Sequence, residues 1–262
     1  MALAYVQAQT GNSDASPAAS APFSSSTTTG NLIVVVIGMD GGNTGDVTNV
    51  VGSDGTAFTK VTAFDTANGA GTLAIDMWYG QIVTGGSSFQ ATVTFVDTHT
   101  NATFVVQEFS GFTGVATPDQ VATSTGTSTS PSSGATGTTA TANELVVGGA
   151  VHASTASNFS AGSGFSNLTQ RSVANRQTAM ESKVVSSTGS QTATFTIAAS
   201  KAWICGVTTF YDYTGGGGST GQIKTWNGSA FVAKPVKVWN GSAWVTKPLK
   251  VYNGSSWVVT NY

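Results

Sequence analysis

The sequence predicts an all-β protein: an antiparallel β-sandwich, jelly-roll-like and built from two weakly related halves, followed by a small C-terminal module of three β-hairpin repeats. Three observations carry this. Glycine is abundant (32 of 262 residues) and charged residues make up only 8% of the chain. Thr, Ser, Ala and Val fill the space between glycines, which favours pleated strands over helices that draw on Leu, Glu, Lys and Arg. The second observation is an internal likeness within the first 213 residues. The third is a thirteen-residue repeat that closes the chain.

The internal likeness lies in the order of features. One half reads "TTTGNLIVVVIGM" (27–39), "MWYGQIVTGGSSFQATVTF" (77–95) and "TFVVQEFSGF" (103–112). The other reads "TATANELVVGGAV" (139–151), "MESKVVSSTGSQTATFTI" (180–197) and "AWICGVTTFYDY" (202–213). Each half thus offers an opening aliphatic strand, a strand beginning at Met, a Gly-Ser turn, an alternating "ATVTF" or "ATFTI" strand and a closing apolar strand. Alternation with period two marks a half-buried strand, whereas the unbroken "LIVVVI" suits a strand covered on both faces. With no helical period anywhere, one sandwich of about eight to ten strands is the economical architecture. The Ser/Thr/Gly/Pro stretch 114–141 then reads as a polar crossing between the halves, outside the core.

After Tyr213, "TGGGGSTG" has the composition of a flexible linker, so the predicted organisation is a sandwich over 1–213, a linker over 214–222 and repeats over 223–262. The repeats are "IKTWNGSAFVAKP", "VKVWNGSAWVTKP" and "LKVYNGSSWVVTN". Asn-Gly between alternating residues is a strong hairpin signal, because a two-residue type I′ turn needs positive φ at both central positions. With Asn227-Gly228, Asn240-Gly241 and Asn253-Gly254 as turns, Trp239 faces Ser242 and Lys237 faces Trp244. Each hairpin then has an aliphatic side and an aromatic side, the latter bearing Trp226 and Phe231, Trp239 and Trp244, or Tyr252 and Trp257. The aromatics meet diagonally and a lysine can lie over a ring. A lone two-stranded hairpin is marginal in water, so the repeats must pack on something. Asn-Gly-Ser also matches a glycosylation acceptor, but the turn reading is preferred because no secretory signal is seen in "MALAYVQAQTGN".

Charge and single residues exclude several classes. The last forty residues hold five of the ten basic residues and none of the twelve acidic ones. Lysines at fixed repeat positions read as solvated strand edges that discourage aggregation, with no nucleic-acid partner expected. Cys205 is alone, so no intrachain disulfide or cysteine-based metal site is possible. The run Leu32–Ile37 is far below the roughly 20 apolar residues a membrane helix needs. His99 and His152 read as structural histidines, "GSGFS" (162–166) lacks the order of a nucleophile elbow, and Asp76, Asp97, Glu108 and Glu181 are scattered over predicted strands. Asp40, Asn43, Asp46 and Asp54 could supply oxygen ligands to Ca²⁺, but their spacing is not that of an EF-hand and a polar turn is the simpler reading. No catalytic residue, metal or cofactor is assigned.

Tandem "WNGSAWV" repeats after a Gly-rich linker resemble the C-terminal modules of tailed-bacteriophage virion proteins, especially minor tail and appendage proteins. The region 30–213 resembles Gly/Thr-rich β-sandwich modules of phage structural proteins and bacterial surface proteins. The resemblance implies a non-enzymatic component of the virion surface, a tail appendage or head-decoration protein, with other virion proteins as partners and a homotrimer as the family-level expectation. Contact with the host envelope follows from it, and a glycan-binding adhesin that uses the tail aromatics is the alternative.

Overall fold

The computed structural model describes residues 2–13, 16–40, 43–68, 73–97, 101–153, 157–214, 223–226, 228–229, 231–234, 237–239, 241–246, 250–252 and 257–259. The first half contains β1 (Ala4–Asn12), β2 (Ala18–Ala19), β3 (Leu32–Asp40), β4 (Val47–Gly52), β5 (Thr59–Lys60), β6 (Thr66–Ala67), β7 (Leu73–Gln81), β8 (Ala91–Phe95) and β9 (Thr103–Ser110), with a 3₁₀ turn at Thr62–Phe64. The second half contains β10 (Val115–Ser128), β11 (Glu144–His152), β12 (Ser166–Val173), β13 (Arg176–Val185) and β14 (Lys201–Tyr213). The repeats supply β15 (Ile223–Trp226), β16 (Phe231–Lys234), β17 (Lys237–Trp239), β18 (Trp244–Thr246), β19 (Lys250–Tyr252) and β20 (Trp257–Val259).

The protein is all-β, and the likeness of the halves holds in register. One main sheet runs β1-β9-β3-β7-β5, the other β10-β14-β11-β13-β12, so corresponding strands occupy corresponding places. Val36 sits between Met77 and Val105, as Gly149 sits between Met180 and Gly206. Leu32 pairs with Phe109 and Leu145 with Phe210.

Each half is a sandwich in its own right. In the first, β2-β8-β4 forms a covering layer. The alternating "ATVTF" of β8 is buried at every second residue, as its period requires. In the second half the cover is made by 129–139 hydrogen-bonded to 189–197, with Ser133 N donating to Ala193 O (3.0 Å) and Phe195 N to Pro131 O (2.8 Å), while Ser160 bridges Thr196. The jelly-roll connectivity therefore occurs twice, and the strand count exceeds the expected eight to ten.

The polar stretch 114–141 is not a crossing. Val115–Ser128 is edge strand β10 beside β14, and 129–139 belongs to the second cover. Its composition misleads because small hydroxyls here complete the backbone pairing: Gln191 N donates to Thr136 Oγ1 (2.9 Å) and Ala193 N to Ser133 Oγ (2.9 Å). A strand satisfied this way needs no apolar alternation.

Three apolar layers result. Ile33, Val35 and Ile37 pack inside the first sandwich with Phe89, Val93 and Phe104. Val146, Ala150, Phe195 and Trp203 pack inside the second. Between the two main sheets lie Leu32, Val34, Val36, Met77 and Phe109 from one half and Leu145, Val147, Met180 and Phe210 from the other. Strand β3 is thus covered on both faces, which accounts for its unbroken aliphatic run.

The central layer is keyed by Phe64, fully buried on the 3₁₀ turn. A Cβ on Gly206 would stand 2.6 Å from its ring, and one on Gly149 would meet the same ring at 3.2 Å. The ring occupies space that two absent side chains leave open. Polar links frame it: Thr103 Oγ1 lies 2.7 Å from Thr178 Oγ1, and Gln107 Nε2 donates to Asn167 O (2.7 Å). Contacts divide the whole chain into Met1–Asp212 and Tyr213–Tyr262.

Candidate functional site

The aromatic repeats are the first candidate, and their geometry corrects the expected register. Trp226 pairs with Phe231, Trp239 with Trp244 and Tyr252 with Trp257. Each loop therefore spans four residues, not two. Among the described loop residues, Gly228 and Gly241 adopt positive φ (both 101°), a conformation that costs glycine little. Asn227, Asn240, Asn253 and Gly254 lie outside the described residues, as do the lysine side chains expected over the rings. For Phe231, Tyr252 and Trp257 the description extends to the strand position.

The slip of two positions keeps the faces and changes the partners. Val238 opposes Val245 in place of the expected Ala243, and Trp239 stands directly across from Trp244, with ring centroids 5.8 Å apart at 59°. A directly opposed aromatic pair gains more contact than a diagonal one, which favours the longer loop. Both faces meet solvent: Trp226, Trp239 and Trp244 are 59%, 52% and 65% exposed, and Val238 is 47% exposed. Exposed apolar surface repeated along a module is the usual mark of a binding face.

In the body, several titratable groups named from the sequence are buried or tied into local contacts. His152 is fully buried, its Nε2 lies 2.7 Å from Ser157 O, and its ring packs on Phe159. Burial pushes its pKa down against the pull of the Ser157 carbonyl, with Arg176 and Lys201 adding to the fall. That histidine is a core residue shut off from substrate. His99 lies outside the described residues. Glu108 accepts from Gln7 Nε2 (2.6 Å), Thr28 N (3.2 Å) and Asn31 Nδ2 (2.7 Å), holding the entry to β3.

In the loop read as a polar turn, Asp54 accepts from Thr56 N (3.0 Å), Thr56 Oγ1 (2.9 Å) and Thr84 N (3.2 Å). Asp46 accepts from Asn43 N (2.5 Å). These carboxylates close their own turns. Among the described residues no group of three or more His, Cys, Asp or Glu is placed to hold a metal, and no helix is long and apolar enough to cross a membrane.

Two buried carboxyls stand out. Glu181 faces the interior of the second sandwich, where Gly162 N donates to its Oε2 (2.8 Å) and burial pushes its pKa up to about 7. Burial and then the Glu181 charge push the Cys205 thiol upward, so it is an inert core residue.

The other is Asp76 on β7. Lys60 Nζ lies 3.0 Å from Asp76 Oδ2 and 3.0 Å from Asp65 Oδ2, and 5.3 Å from the Trp78 ring centroid. Asp65 Oδ2 also accepts from Gly45 N (3.0 Å). The Asp76 side chain is fully buried, and neither of its oxygens meets a well-aligned donor. Burial, then the Asp65 carboxyl, push Asp76 up to about 7 while Lys60 pulls it down. Burial opposes the Lys60 charge, but the two carboxyls more than offset it and its pKa is raised.

No spacing along the chain marks this trio. Its members lie on β5, after the 3₁₀ turn and on β7, and only the pairing of Lys60 with Trp78 brings them together. Asp97 and Glu108 stand elsewhere, so the scattered carboxylates do not converge.

The fold and site define an all-β, double-sandwich body joined to an aromatic hairpin module. No family model, curated protein or solved structure matches the chain.

Proposed function

We propose that this protein is a non-enzymatic structural component of a bacteriophage particle, a tail appendage, minor tail or head-decoration protein displayed on the virion surface. The repeat resemblance supplies the class. The observation that carries the reading is the set of exposed tryptophans, Trp226, Trp239 and Trp244, at repeating positions on a unit separate from the body. Such rings supply large contact area at small conformational cost, so the module docks on other virion proteins and the double sandwich is what it displays. A homotrimer is the assembly expected of such appendages. Mass spectrometry and cryo-EM of purified particles test this: the polypeptide is expected at stoichiometric abundance with density for two stacked sandwiches, and its absence refutes the assignment.

A second reading rests on the Trp239–Trp244 pair, whose exposed rings offer an apolar platform for a sugar ring. The protein is then an adhesin module for host cell-wall polysaccharide. Pull-down on host envelopes with the full chain and with a chain ended after Tyr213 separates the two. Binding that needs residues 223–262 supports the glycan reading, and binding by neither form leaves docking within the particle.

A further inference from the structure

We propose that Lys60 and Asp76 form an intramolecular amide cross-link between β5 and β7, with Asp65 as the group that moves the proton. Three placements carry it. Lys60 stands opposite Trp78, so Asp76, two residues along β7, is its diagonal neighbour on the same face of the sheet. The amine nitrogen already lies 3.0 Å from an oxygen of each carboxyl, a contact that holds it beside the Asp76 carbon it must reach, and such fixed proximity is what favours an intramolecular reaction over its bimolecular counterpart. And the Asp76 carboxyl is wholly buried, with the Lys60 ammonium beside one oxygen and the Asp65 carboxyl close by, a setting that burial makes costly for a permanent anion.

The fold itself does not ask for this carboxyl. Asp76 pairs with Ile37 in the first sandwich, and the corresponding pair in the second is Ala179 with Ala150. A small apolar side chain serves the same position there, so the trio is an addition to one half.

Amide formation in water fails for two reasons: a carboxylate is a poor electrophile, and an ammonium has no free lone pair. Here burial favours the protonated form of Asp76, and Asp65, oriented by Gly45 N–H, is in contact with the Lys60 ammonium. Asp65 takes one proton from the ammonium, and the freed lone pair attacks Asp76 Cγ, whose C=O electrons move to oxygen. The tetrahedral centre then collapses, the C–O bond breaks and water leaves. Of the four protons on the Lys60 nitrogen and the Asp76 carboxyl, one stays on the amide, two leave in the water and one ends on Asp65. The charge is zero before and after, and nothing is oxidised or reduced. Because the two carboxyls hold Lys60 in its charged form, the proton transfer sets a slow rate, and the bond accumulates as the folded protein ages.

The test is intact mass under denaturing conditions on the full chain, freshly purified and after prolonged incubation at neutral pH. The expected mass is one water below that of the sequence, with digestion giving a branched peptide joining the segments that carry Lys60 and Asp76. Lys60→Arg and Asp76→Ala are expected at full mass. Asp65→Asn keeps both partners and is expected to lose water far more slowly, provided its unfolding transition stays cooperative. If Asp65→Asn does not fold cooperatively, the wild-type mass and peptide map decide alone. A wild-type chain at full mass after incubation overturns the proposal. So does a water loss confined to one linear peptide, as an aspartyl succinimide at Asp54-Gly55 would give.

Discussion

Phe64 and Gly206 make a paired prediction whose sign is decided by geometry. Phe64 is fully buried between the two main sheets, so Phe64→Ala removes its burial and leaves a cavity, a loss of about 3–5 kcal/mol. Gly206→Ala alone drives a Cβ to 2.6 Å from the same ring, an overpacking cost of about 1–3 kcal/mol. In the Phe64→Ala background the ring is gone, and alanine in a strand interior is better than glycine by roughly 0.5–1 kcal/mol. Gly206→Ala is therefore expected to destabilise the wild type and to stabilise the variant, a coupling of at least about 1.5 kcal/mol. Urea unfolding of the four proteins, followed by circular dichroism, measures this. Equal destabilisation by Gly206→Ala in both backgrounds refutes the claim that Phe64 fills the glycine slot.

Other outcomes follow from the same contacts. Glu181 has its folded pKa raised from 4.5 to about 7, so its contribution is fully present below about pH 4.5 and lost as pH rises through about 7, a fall of at most about 3 kcal/mol. Glu181→Gln is expected to flatten that limb in urea melts run at several pH values, and an unchanged pH profile argues against a buried ionisable carboxyl. Asp54→Ala removes three acceptor contacts to Thr56 and Thr84 and is expected to cost about 1–3 kcal/mol. Calcium is expected to leave the wild-type melting temperature unchanged, and a rise on adding it overturns the turn reading of that loop. Trp239→Ala with Trp244→Ala is expected to leave the unfolding of the body within about 0.5 kcal/mol of wild type, since both rings are exposed. The same pair should abolish incorporation into particles assembled in a complementation assay.

What could be read in advance depended on whether a residue's role is expressed along the chain or across it. Leu32–Ile37 declared its double burial because every side chain in it meets an apolar layer. The Met77 and Met180 strands declared their kinship because the two halves keep the same order and register. The segment 129–139 hid its pairing, because Ser133 and Thr136 satisfy backbone groups with hydroxyls and leave no apolar period to detect. In the hairpins, alternation identified the faces but not the loop length: a slip of two residues returns each side chain to its own side, and only the contact of Trp239 with Trp244 distinguishes the registers. Lys60, Asp65 and Asp76 were illegible, since no spacing in sequence encodes their meeting across three elements.

The glycine slot also makes the two halves unequal partners. At the positions matching Gly149 and Gly206 the first half carries Val36 and Val105. Two first halves brought face to face would confront Phe64 with branched side chains, so the body prefers its own second half to a neighbour's first. A duplicated domain ordinarily risks trading copies between molecules and chaining into polymers. Here one ring and two missing side chains restrict that risk to the exchange of unlike halves, because two first halves do not fit.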